Sequence, residues 1–246
     1  MKDFENMLRI HADSMKNNMA SPFPEELEEL IMTKNSASKA RNTRRIVFIA
    51  LAAALLLGTT AFAAGGYVGG WFSGTIEKFE SMPNEAQLSC ELGYSSICVP
   101  KFENGYAFVS GSIDNNEVFD PDLGLVENFK SAMFVYEKEG DTVYFTQARS
   151  EEIVLHGDVM ENCNGIDIYY YSYTNKAVPA DYQLTEADKA AKEAGEIIFS
   201  YGSDKIIIME ISCVEWAENG ISYNLMQIDG ELSAEELADM ARELIG

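Results

Sequence analysis

Residues 46–64, "IVFIALAAALLLGTTAFAA", are 19 consecutive positions without a charge, and nothing in them is more polar than Thr59 and Thr60. As a helix with a 1.5 Å rise, this run reaches about 28 Å, close to the hydrocarbon thickness of a bilayer. Lys39, Arg41, Arg44 and Arg45 precede it with no acid among them, and the next charge after it is Glu77. The positive-inside rule then places the N-terminus in the cytoplasm and everything after the run outside the cell membrane. Ala61-Phe62-Ala63 looks like a signal-peptidase site, but some 45 residues precede the run and its apolar core exceeds the ~7–15 residues of a signal peptide. A retained single-pass anchor is therefore expected, with a cleaved export signal as the competing reading.

The charge distribution agrees with that division. Residues 1–45 carry eight basic and seven acidic side chains, so the formal total of −22 places −23 beyond residue 45. A domain this acidic repels phosphate backbones, which excludes nucleic acid as its expected partner. Residues 1–45 read as two short helices and a polar tether. Phe4, Met7, Leu8, His11 and Met15 form one stripe; Pro24 starts a second helix with Leu27, Leu30 and Ile31 on its apolar side. A segment this small has too little core to bury either stripe alone. Met7, Leu8, Met15, Leu27 and Leu30 are thus the candidate docking face for a cytoplasmic regulatory protein. Four cysteines, Cys90, Cys98, Cys163 and Cys213, all follow the apolar run, and free thiols and one or two disulfides both remain open.

After an exit linker at 65–79, residues 80–246 read as an α+β domain. Asn104-Gly105 and Glu139-Gly140 sit between β-rich runs as hairpin signals. "GIDIYYYSYT", "EIIFSYG", "DKIIIMEISCVEW" and "ISYNLMQI" read as further strands, and in the last Ile221, Tyr223 and Leu225 alternate with Ser222 and Asn224. Thr185 caps a helix over 185–194 with Ala187, Ala190, Ala191 and Ala194 on one side. Ser233 and Glu236 form a capping box for a final helix with Leu237, Met240, Ala241 and Leu244 along one face. The expected architecture is an antiparallel curved sheet covered by a few helices, preceded by one transmembrane helix.

Three segments, "CVPKFENGYAFVSGSI", "FVYEKEGDTVYFTQ" and "VEWAENGISYNLMQIDGELSAEELADMARELI", together resemble a C-terminal domain of unknown function. That domain occurs in single-pass membrane proteins and predicted anti-sigma factors of Gram-positive bacteria. The resemblance covers about residues 80–246 and is strongest at Trp216, Glu218, Gly220, Tyr223 and Leu225 ahead of Ser233, Glu236 and Leu237. It implies a half-barrel similar to that of lipoprotein carriers and of periplasmic regulators that bind anti-sigma factors. It also implies a sigma factor as the kind of cytoplasmic partner, although residues 1–45 lack the His/Cys cluster of zinc-containing anti-sigma domains.

No catalytic constellation is apparent. There is no G-x-S-x-G, H-E-x-x-H, P-loop or G-x-G-x-x-G, and no cofactor or metal is expected. His156, the one histidine beyond the apolar run, reads as a turn residue in "VLHGD". "DNNEVFDPD", residues 114–122, reads as a solvated acidic loop that misses the calcium-loop register at Val118 and Phe119. Tyr169, Tyr171, Tyr173, Trp216 and Tyr223 are the candidate ligand-facing residues for a lipid or peptide. The functional expectation is a non-enzymatic, membrane-anchored extracytoplasmic sensor or binding protein of anti-sigma-like type; the alternative is a lipid or lipoprotein carrier.

Overall fold

The computed structural model describes residues 70–119, 125–149, 153, 155–179, 181–201 and 203–246. The cytoplasmic segment with Met7, Leu8, Met15, Leu27 and Leu30, the expected span at 46–64 and the linker positions 65–69 lie outside the described residues. Among the described residues no helix is long and apolar enough to cross a membrane.

The chain runs β1 (Gly70–Phe79), α1 (Glu85–Leu92), β2 (Ala107–Phe119), β3 (Leu125–Lys138), β4 (Asp141–Ala148), β5 (Asp158–Cys163), β6 (Ile166–Val178), α2 (Glu186–Glu193), β7 (Ile197–Tyr201), β8 (Ile207–Glu218), β9 (Ile221–Ile228) and α3 (Ala234–Ile245). The nine strands form one curved, open sheet in the order β1-β2-β3-β4-β9-β8-β6-β5. β7 shares the outer edge of β6 with β5: β5 takes the Ile166–Tyr170 half and β7 the Thr174–Val178 half. The β6–β7 pair is parallel, whereas every other pair is antiparallel.

Local chemistry explains most of the connections. Glu139-Gly140, Asn164-Gly165 and Asn219-Gly220 all have positive φ at both positions, the two-residue turn whose twist matches that of the strands it joins. Ser233 and Glu236 form a reciprocal capping box at the start of α3, and Thr185 does the same with Asp188 at the start of α2.

Four expectations are corrected. Residues 70–79, read as the end of a linker, form β1, with Ile76 left out of register as a bulge. Residues 114–119, read as a solvated loop, continue β2, and Asp114 and Asn116 are buried there. The expected strand before Asn104-Gly105 reduces to a single bridge, Lys101 to Ala107. Near Ile97 and Val99 its backbone groups bond side chains instead: Gln147 both donates to and accepts from Ile97, and the Tyr136 hydroxyl donates to the Val99 carbonyl at 2.9 Å. Finally, Ala187, Ala190 and Ala194 are exposed and only Asp188 of α2 is buried. That crossover helix is held by polar contacts, with Asp188 bonded to Lys176 at 2.6 Å and to Tyr182 at 2.8 Å.

Strand alternation divides the sheet into two faces. On the first, Phe134, Phe145, Trp216, Tyr223 and Leu225 join Leu88 and Leu92 of α1 and Leu237, Met240 and Leu244 of α3 in one cluster. Phe145 stacks on Trp216 at 6.0 Å and Trp216 on Tyr223 at 5.1 Å. Met133, Val135, Tyr144, Met209, Ile211, Cys213 and Met226 are also buried, yet they belong to the second face and not to that cluster.

Candidate functional site

The same alternation separates the candidate ligand-facing residues. Trp216 and Tyr223 are cross-strand neighbours within the helix-covered core. Their aromatic surface is taken up by Phe145 and by each other, so they frame the domain and contact no open surface. Tyr169, Tyr171 and Tyr173 lie on the second face, opposite Glu215, Cys213 and Ile211 of β8. Tyr171 and Tyr173 stack with ring centroids 6.0 Å apart and planes 8° apart. The structure therefore brings the three tyrosines together and leaves Trp216 and Tyr223 on the other side of the sheet.

The residue that organises the second face is Glu215, a buried carboxylate in a strand that is otherwise mostly apolar. Its Oε2 accepts from the backbone N–H of His156 and from His156 Nδ1, both at 3.0 Å. Its Oε1 accepts from the Tyr171 hydroxyl at 3.0 Å and from Asn224 Nδ2 at 2.8 Å. Burying a carboxylate is costly unless hydrogen bonds replace its hydration, and here four donors supply that replacement.

Gly157 makes the arrangement possible. Its φ is +79°, and a Cβ there would lie 2.1 Å from the Tyr170 carbonyl oxygen. Only glycine lets this backbone press against β6. His156 is thereby held with its ring 5.4 Å from that of Tyr171. His156, expected as a turn residue, is a fixed member of a buried network.

Burial pushes the Cys213 thiol up to about 12, so beside Tyr171 it stays protonated and is a packing group instead of a nucleophile. Burial likewise raises the Tyr173 phenol above its ordinary value. All four cysteines are free thiols, with Cys90 exposed and Cys213 buried.

Sequence reading missed Glu215, Asn224 and His156 as one unit. The available signal was Glu215 itself, an acid between Val214 and Trp216 in a strand long enough to be central. The alternation in "ISYNL" puts Asn224 on the face opposite Tyr223, and both faces of β9 are covered at its centre. No family model, curated protein or solved structure matches the chain.

Proposed function

We propose that this chain is a non-enzymatic, membrane-anchored extracytoplasmic sensor or binding protein of the anti-sigma-like type. The apolar run at 46–64 serves as the anchor, and residues 1–45 serve as the docking segment for a cytoplasmic regulator such as a sigma factor. The outer domain receives its ligand on the second face of a half-barrel-like sheet. The observation that carries this reading is the difference between the faces: α1 and α3 complete the first, while the second presents Tyr171, Tyr173 and a polar network that none of the described helices covers.

The topology is tested at Cys90, which is exposed. A membrane-impermeant maleimide should label Cys90 in intact cells as fully as in lysed ones; labelling only after lysis overturns the orientation. Capture of a sigma factor by the full-length chain, lost on Leu27→Asp with Leu30→Asp, tests the inner partner.

A second reading, carriage of lipid or lipoprotein, is favoured by Met209, Ile211 and Met226 on the same face as the tyrosines. It predicts acyl-chain lipids copurifying with the full-length chain, detectable by mass spectrometry. A lipid-free spectrum removes it.

A further inference from the structure

Glu215 dictates the polarity of the groups around it. A carboxylate offers only acceptors, so each neighbour must turn a hydrogen toward it. His156 therefore carries a proton on Nδ1, and in the neutral ring its Nε2 presents a bare lone pair. Asn224 commits its Nδ2 to Glu215 at 2.8 Å, which turns its carbonyl oxygen away. Both of these remaining atoms, His156 Nε2 and Asn224 Oδ1, are buried without a hydrogen-bond partner, and so is the hydroxyl of Tyr173.

Unmatched buried polar atoms are rare in folded proteins, and three around one anion are a chemical signature. With a neutral His156 ring two of them are acceptors, and the third is a hydroxyl that can accept. Among the described residues His156 is the one basic side chain against Glu215, and no lysine or arginine there balances the carboxylate. The stretch beyond residue 45, with its −23 formal charge, adds a field that draws cations. A hydroxyl could meet the acceptors but would leave the anion uncompensated. A carboxylate or phosphate would be repelled. An ammonium has three hydrogens, no lone pair and the required charge, and the stacked rings of Tyr171 and Tyr173 suit both a cation and the carbon stem behind it.

We propose that His156, Asn224 and Tyr173, arranged around Glu215, form a binding site for a primary ammonium group on an apolar stem. This assignment rests on the binding-face reading above and narrows it to a ligand class.

The test uses the full-length chain in phosphatidylcholine nanodiscs, with empty discs as the blank, titrated with n-butylammonium, n-butanol and n-butyrate by calorimetry. Butylammonium is expected to bind saturably, butanol at least about tenfold more weakly for want of a charge-assisted bond, and butyrate not at all. Glu215→Gln and Tyr173→Phe should each weaken butylammonium about tenfold. If Glu215→Gln does not fold, Tyr173→Phe decides, since it removes one oxygen and keeps the ring. Butanol binding as tightly as butylammonium, no saturable butylammonium binding, or binding indifferent to Tyr173→Phe overturns the proposal. Native mass spectrometry of the same sample separates the two levels. A copurifying lipid or peptide released by Tyr171→Ala, without amine binding, removes the ammonium site and keeps the binding face; neither ligand nor amine removes both.

Discussion

The two faces of the sheet treat their buried polar groups differently. On the helix-covered face, Gln147 closes both ends of its amide on the backbone of Ile97, and Gln227 does the same with Leu232. Trp216 Nε1 there is unmatched, as are Ser96 Oγ and Asn104 Nδ2 in the 94–106 stretch that packs on this cluster, while Phe145, Trp216 and Tyr223 fill the space between. On the opposite face Glu215 is matched four times over, yet His156 Nε2, Asn224 Oδ1 and Tyr173 OH have nothing. On the helix-covered side the unmatched atoms belong to three residues that share no common partner. On the other, His156 and Asn224, whose atoms are left over, both bond Glu215.

The sharpest way to break this contrast is to damage each face separately. Trp216→Ala should lower the unfolding free energy by about 3–5 kcal/mol, because the surrounding aromatic stack cannot collapse into the space. Urea denaturation measures it, and a loss below about 1 kcal/mol would mean that this face is not the stabilising one. Glu215→Gln should cost less, about 1–3 kcal/mol, since an amide NH₂ would confront a donor from His156, Tyr171 or Asn224. An unchanged urea midpoint would show that the network is not formed. Ser233→Ala removes the cap of α3 and should cost about 1 kcal/mol by the same measurement.

The smallest effect concerns α2. Asp188 is held well below the usual carboxylate range by the bond from Lys176, helped by Thr185 and Tyr182. A lowered native value means that its contribution is complete above the unfolded carboxylate value of about 4 and is lost as pH falls below it. Asp188→Asn should therefore leave a shallower acid limb in a pH series of urea midpoints, with little change in the shape near neutrality. An unaltered acid limb would assign the acid sensitivity to other carboxylates.

Local rules were legible in the sequence where one short stretch decides the outcome. The capping box at Ser233 and Glu236, the cap at Thr185 and the Glu139-Gly140 turn each depend on two or three adjacent residues, and each is found in place. What sequence could not supply was the answer to which strands become neighbours. Tyr171 and Trp216 look alike as large aromatics on alternating strands. They separate only once β6 pairs with β8 such that Tyr171 faces Cys213 while Trp216 points to the other side. The network around Glu215 joins residues 156, 171, 215 and 224, and no periodicity links those positions. The strand expected before Asn104-Gly105 reduces to one bridge for a related reason: side chains of Gln147 and Tyr136, 50 and 37 positions away, capture the backbone groups of Ile97 and Val99.

β1 is the first described strand and also the last rib of the sheet, bonded to β2 alone. Any tug arriving through the chain N-terminal to Gly70 loads that one ladder before any other part of the domain feels it. Peeling begins where Gly70 meets Phe119 and advances toward the bulge at Ile76, while the aromatic stack on β4, β8 and β9 lies strands away from the tear. A load entering by that route would bare the edge of β2 before it disturbed Glu215.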